Sequence, residues 1–225
     1  DAGLPLPDYT VGVSAGIAYG VSYLSRQSRR NLKLLTTYAN DKRYMGVGNF
    51  LDRRNRSYFG LKFSYETIPN ELLPFDYETF AAYPGTAEAV VTNLNTGRAE
   101  YLEVPRKDEH FLLLQATCAI PLMFPVIHLD GQPYLDGGCS CPIALNWALK
   151  QGFDKIVVVT TRQKGFRKSQ PGQRMVDLYD DFYGDKPLFL ATMLTQELRY
   201  NALMDELDEL EQNGRIYCLR PQEPI

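Results

Sequence analysis

The chain has 225 residues, a formal net charge of −3 and a 44 % apolar share, which suits a folded chain long enough to bury a large core without staples. Its two histidines, His110 and His128, nearly exclude a His-rich metal site and leave any histidine-dependent mechanism two candidates. A mildly acidic chain does not suggest a nucleic-acid partner.

Taken in order, Tyr9–Val13 reads as a short buried strand that runs directly into a helix over Ala15–Arg26, where apolar residues recur at helical spacing. A second helix is expected over Asn31–Tyr38, then an irregular polar and aromatic stretch from residue 41 to 62. Short helices are expected at Glu66–Leu73 and Tyr77–Ala82. Glu88–Leu94 and Arg98–Val104 read as two strands joined by Asn95-Thr96-Gly97, a turn with glycine available for positive φ. Asp108 suits the N-cap of a helix reaching Cys118. A second hairpin is expected around Asp130-Gly131, between Val126–Leu129 and Gln132–Leu135. Pro142–Lys150 reads as a helix with proline in its first turn. Ile156–Thr161 reads as the clearest buried strand of the chain. Helices at Met175–Tyr183 and Leu188–Gln212, stopped by Gly214, precede a last strand at Arg215–Leu219. This alternation predicts an α/β sandwich with a mostly parallel sheet.

Charge is unevenly spread. Residues 26–62 carry ten basic and two acidic side chains, a local +8 that leaves −11 for the rest. One reading is a solvated face; the other is a patch that meets anionic phospholipid head groups. The acidic run from Glu197 to Glu211 reads as a solvated helix face. Cys118, Cys139, Cys141 and Cys218 make no C-x-x-C pair, so free thiols in a reducing compartment are expected. The uncharged stretch Phe111–Leu129 holds Pro121 and Pro125 and reads as core, not as a membrane span. Asp1–Pro7 carries no signal-peptide pattern. Asn55-Arg56-Ser57 fits a glycosylation pattern, with nothing to indicate a secretory route.

Two short segments carry chemistry. Gly12-Val13-Ser14-Ala15-Gly16 matches G-x-S-x-G between an expected strand and an expected helix. In such an elbow the serine sits on a tight turn, and the helix N-terminus favours developing negative charge. Asp136-Gly137-Gly138 follows the strand end Tyr134-Leu135, where ligand sites of α/β folds gather. The plain readings are a structural serine in a Gly-rich turn and an ordinary Asp-Gly turn. A serine nucleophile needs a base. The usual Ser–acid–His order cannot be built here, because no histidine follows residue 128. A triad through His110 or His128 stays open, although neither sits in a supporting motif.

With these residues in view, the sequence resembles the patatin-like phospholipases, small bacterial members above all. Ser14 and Asp136 look like that family's Ser–Asp dyad. Val91-Thr92-Asn93-Leu94-Asn95-Thr96-Gly97 is similar to its strand and turn, and Ala116-Thr117-Cys118-Ala119-Ile120-Pro121 with Phe124-Pro125 resembles its A-S-x-A-x-P-x-x-F-P segment. The resemblance spans essentially residues 1–225 as one domain and implies a three-layer α/β/α sandwich with a mostly parallel central sheet. It implies a serine-dependent lipid acyl hydrolase working through an acyl-enzyme, without metal or other cofactor. Ser14 would be the nucleophile and Asp136 its direct base. Gly12 and Gly16 would shape the elbow, Ala15 N–H would face the oxyanion, and Gly137 and Gly138 would hold Asp136 close. One departure stands out: the family's Gly-rich G-G-G-x-R-G oxyanion loop has no counterpart before Ser14, so an N-terminally incomplete domain is expected. The alternative function is a catalytically impaired lipid-binding or interaction module. A protease or thioesterase on the same dyad is a third reading. The expected partners are a lipid or small ester and, through residues 26–62, an anionic membrane. The expected location is cytoplasmic, at most peripheral to a membrane.

Overall fold

The computed structural model describes residues 5–53 and 55–223; Arg54, one of the basic residues of the 26–62 segment, lies outside the described residues. The chain forms two compact units, Asp1–Cys141 and Pro142–Ile225.

In the first unit, strand β1 (Tyr9–Val13) passes through Ser14 into helix α1 (Ala15–Leu24). Helix α2 (Arg30–Tyr38) follows. The stretch from 41 to 62 is largely irregular, as expected, with one 3-10 turn at Val47–Phe50. Asn55 organises it: Nδ2 donates to the carbonyls of Asn49, Ser57 and Phe59, and Oδ1 accepts from Leu61 N–H. The side chain that fitted a glycosylation pattern is thus committed to its own loop. Phe63–Leu72 forms a π-helix, with Pro69 inside it. The wider π turn tolerates a residue that lacks an N–H, and such turns recur at functional sites. Leu34 of α2 packs on Phe63 and Ile68 of this π-helix. Helix α3 (Tyr77–Ala81) is capped by Asp76, whose Oδ1 accepts from Thr79 N–H.

Strand β2 (Thr86–Asn93) is the axis of the first sheet. Ala87, Ala89, Val90, Val91 and Thr92 are all fully buried on it, as a strand paired along both edges demands. Strand β3 (Ala99–Glu103) returns antiparallel along one edge, through a turn with Gly97 at φ 64°. The other edge is shared. β1 pairs parallel with it from Tyr9↔Thr86 to Val13↔Val90, and β5 (Gln132–Asp136) pairs antiparallel from Val91↔Asp136 to Asn93↔Tyr134. β4 (Ile127–Leu129) extends the sheet beside β5. Asp130 and Gly131 both have positive φ, 49° and 79°, as a two-residue hairpin turn requires. Helix α4 (Leu112–Thr117) starts four residues after Asp108, which nevertheless accepts from Leu112 N–H and His110 N–H.

In the second unit, helix α5 (Leu145–Lys150) starts three residues later than expected. Strands β6 (Val157–Val159) and β7 (Tyr217–Leu219) pair in parallel. Helix α6 spans Gln173–Tyr183, and the long helix expected over Leu188–Gln212 is two, α7 (Pro187–Leu194) and α8 (Gln196–Gln212), broken at Thr195. Met204 and Leu207 of α8 pack with Val158 and Ile216 in this unit's core. β6 is not the strand buried on two faces that its valines predicted. Val158 is buried, but Val157 and Val159 are 59 % and 72 % exposed, because strand side chains alternate and the core packs on the Val158 side alone. The acidic face of α8 is partly neutralised. Arg220 pairs with Asp208 at 2.8 Å and Glu211 at 2.7 Å, and Arg167 pairs with Asp205.

The expected α/β class holds. The first sheet is mixed, with β1–β2 parallel and β3, β4 and β5 paired antiparallel, and the two-stranded β6–β7 sheet is parallel. The reason is local, since connections as short as two residues (130–131) and five residues (94–98) join antiparallel neighbours, and two such hairpins supply most of the first sheet. Among the described residues no helix is long and apolar enough to cross a membrane.

Candidate active site

The shared edge of β2 explains how residues 122 apart in sequence meet. β1 ends opposite Val90 and β5 ends opposite Val91, on the same edge and running toward each other. The next residue of β1 is Ser14, and the last of β5 is Asp136. Ser14 Oγ donates to Asp136 Oδ2 at 2.6 Å. The other carboxylate oxygen, Oδ1, accepts from Gly138 N–H at 2.7 Å. Asp136 is 7 % exposed.

Ser14 has φ 53° and ψ −130°, a backbone state that costs a non-glycine residue about 1–3 kcal/mol. The turn is held from two sides. Ser14 N–H donates to Thr117 Oγ1 at 2.9 Å, and Thr117 Oγ1 in turn donates to the Val90 carbonyl. The Ser14 carbonyl accepts from Ile17 N–H and Ala18 N–H, the first bonds of α1. Gly12 is required by space, because a Cβ there would lie 2.7 Å from Ile17 Cβ and Ile17 N. Gly16 is not constrained this way; a Cβ would meet nothing within 4 Å. Ala15 N–H lies at the start of α1, where helical N–H groups lack intrahelical acceptors, and Ala15 lines the cavity beside Ser14.

Asp136 is held just as firmly. Its N–H donates to the Ala119 carbonyl at 2.9 Å, and its carbonyl accepts from Thr92 Oγ1 at 2.8 Å. Thr92 also bonds Ser140 Oγ at 2.7 Å. A Cβ on Gly137 would lie 2.2 Å from the Val90 carbonyl oxygen, so only glycine lets β5 leave the sheet at this point. On Gly138 it would lie 3.0 Å from Asp136 Oδ1. Thr117 and Thr92 were not singled out from sequence as site residues, although both lie in segments that were. A hydroxyl that bonds a backbone group 25 or more residues away leaves no mark on periodicity.

Ser14 opens into a cavity of about 210 Å³. Its walls are mainly apolar and aromatic, with Leu34, Phe59, Phe75, Phe111 and Phe124 among them, and the π-helix contributes Ser64, Tyr65 and Pro69. Cys118 lines it too, its thiol pushed up to about 12 by burial and by the Asp136 charge. Burial likewise raises the Tyr65 phenol well above its ordinary range. These groups are neutral at physiological pH, whereas Asp136 sets a carboxylate oxygen 2.6 Å from Ser14 Oγ.

Neither histidine joins them. His110 lies against Glu66 with its side chain 72 % exposed, and His128 is exposed on β4. Among the described residues no group of three or more potential ligands could hold a metal ion.

A family model for patatin-like phospholipases matches residues 2–147. The chain belongs to the patatin-like phospholipase family. No individual curated protein matches it. The match spans the elbow, the π-helix wall of the cavity and the Asp136 turn of this patatin-like chain.

Proposed function

We propose that this patatin-like chain is a serine-dependent lipid acyl hydrolase that uses Ser14 as nucleophile and Asp136 as base. The observation that carries the reading is the 2.6 Å hydrogen bond from Ser14 Oγ to Asp136 Oδ2, made at the wall of an apolar cavity. As Oγ attacks an ester carbonyl, its proton passes to Asp136, and the carbonyl oxygen becomes an oxyanion facing Ala15 N–H. Collapse expels the alkoxide, which takes the proton from Asp136, and leaves an acyl-serine. Water then attacks the acyl group, again giving its proton to Asp136, and Ser14 departs as the protonated hydroxyl with the free acid. Asp136 thereby shuttles one proton in each half-reaction, and no histidine is needed. Positive φ at Ser14 pushes Oγ out of the turn toward the bound ester.

The test is direct. An alkyl fluorophosphonate should label Ser14 in the wild type and should fail on Ser14→Ala. Asp136→Asn should lower both labelling and ester turnover by about 10²–10⁴-fold, the usual worth of a positioned base. A folded wild type that neither labels nor hydrolyses any short-chain ester would leave the lipid-binding module as the better account.

We infer further that the basic 26–62 segment docks the cavity side of the molecule on anionic lipid. Val47 and Leu51 stand 77 % and 86 % exposed among Lys42, Arg53 and Arg56, a mixture of apolar and basic groups suited to head groups and the acyl boundary beneath them. Binding to phosphatidylglycerol vesicles should weaken as salt rises. Equal binding at 0.05 M and 0.5 M salt would refute the electrostatic part.

A further inference from the structure

Arg30 departs from the other basic residues of its segment. It lies one turn before Leu34 on α2, and both side chains line the cavity that holds Ser14. The guanidinium stands 5.5 Å from the centre of the Phe75 ring, another cavity wall. Its Nη2 donates to the Leu73 carbonyl at 2.8 Å. Its Nε is buried and has no hydrogen-bond partner, and no carboxylate lies within ion-pair distance among the described residues. Ser64, on the facing π-helix, also lines the cavity with a buried and unpartnered hydroxyl.

A half-buried guanidinium with no counter-charge is costly, and an unused buried donor adds to the cost. Burial lowers the pKa of Arg30 accordingly. Such a group is usually paired when its site is filled. Its donors form a planar fork suited to two oxygens of one anion. Neither a neutral acyl chain nor a neutral alcohol leaving group would satisfy it.

We propose that Arg30, assisted by Ser64, binds an anionic oxygen group of the ligand in the Ser14 cavity and so selects acyl ligands that carry one. Two sources share that chemistry: the phosphodiester of a substrate head group and the carboxylate of a released acid. The proposal rests on the hydrolase reading for its kinetic consequence but not for binding. Arg30 is a specificity residue here and takes no part in the proton transfer between Ser14 and Asp136.

Calorimetry on the full chain, as Ser14→Ala to prevent turnover, tests binding of hexyl phosphate, hexanoate and hexanol. Hexyl phosphate should bind at least tenfold more tightly than hexanol, and Arg30→Met should remove about 10- to 100-fold of that affinity, the range for hydrogen bonds to a charged group. Arg30→Lys should restore part of it, since it keeps the charge without the fork. A preference for hexyl phosphate over hexanoate assigns the site to the substrate head group, and the reverse assigns it to the acid product. Equal affinity for hexyl phosphate and hexanol in the Arg30-containing protein overturns the proposal, whether or not the variants fold. In the active chain, Arg30→Met should lower the ratio of kcat/KM for dihexanoyl phosphatidylcholine to that for dihexanoylglycerol by 10- to 100-fold. A purely structural role would lower both alike and leave the ratio unchanged. Absence of all hydrolysis would refute the hydrolase reading and leave the calorimetric result standing.

Discussion

Thr117→Val removes one oxygen and nearly nothing else. The side chain keeps its size and its fully buried position. Ser14 N–H loses its acceptor and the Val90 carbonyl loses one donor. A buried group left unpaired costs about 1–3 kcal/mol, so about 2–3 kcal/mol is expected for the exchange. In a chain of this size that lowers Tm by about 4–12 °C. The same energy matches the strain of about 1–3 kcal/mol held at the φ 53° turn of Ser14. Without its anchor the turn therefore relaxes, and Oγ moves away from Asp136. A shift near 1 Å is worth about 10² in rate. The assay is the second-order rate of fluorophosphonate labelling at Ser14, measured below the Tm of each variant. Thr117→Val should label about 100-fold more slowly than wild type. Thr117→Ser, which keeps the hydroxyl and loses only a methyl, should stay within a few-fold. If Thr117→Val and Thr117→Ser label equally fast, the hydroxyl does not hold the elbow and the reasoning fails.

Other consequences are open to simple measurements. Gly12→Ala places a Cβ 2.7 Å from the Ile17 backbone nitrogen and should lower both Tm and labelling, whereas Gly16→Ala meets nothing within 4 Å and should leave Tm unchanged or slightly raised; reversed Tm values would contradict the packing. Gly137→Ala, with Val90 O only 2.2 Å from the new Cβ, should be the most damaging of the three, read as loss of soluble protein or the largest fall in Tm. Cys118, pushed up to about 12 by burial first and the Asp136 charge second, should react with iodoacetamide at pH 8 about 10³-fold more slowly than an ordinary thiol, judged by mass spectrometry against the unfolded chain. Because its folded pKa is raised, Cys118 stabilises the fold fully below pH 9 and progressively less as pH climbs toward 12. The Tm of the wild type should therefore fall more steeply over that range than that of Cys118→Ala.

Much of the site could be read from sequence because its constraints are local. Gly12 must pass under Ile17, Ser14 must follow a strand end, and Asp136 must end a strand directly before two glycines, so the residue types appear at fixed spacing. The hairpin turns were equally plain, since positive φ at Gly97, Asp130 and Gly131 draws on a narrow set of residues. The features that leave no local pattern are those that depend on long-range partners. Thr117 and Thr92 could have been ordinary core threonines. Arg30 stood among basic neighbours, and nothing in Ser28-Arg29-Arg30-Asn31 says which one turns inward. The sequence predicts an ordinary short helix over Glu66–Leu73, but the buried Phe63 and Ile68 stand five residues apart, the spacing of a π turn and not of an α turn. β6 differs for another reason: three valines in a row declare a strand but not which faces are covered.

β2 acts as a ruler for the site. Val13, which leads into Ser14, and Asp136 hang from adjacent rungs, Val90 and Val91, of one strand. The stretch between α1 and β2 can change length without altering either pairing, so the cavity walls it supplies and the basic segment are free to vary with the ligand. A one-residue slip along β2 is different in kind. It would move one half of the pair by about 3.3 Å and turn its side chain to the opposite face.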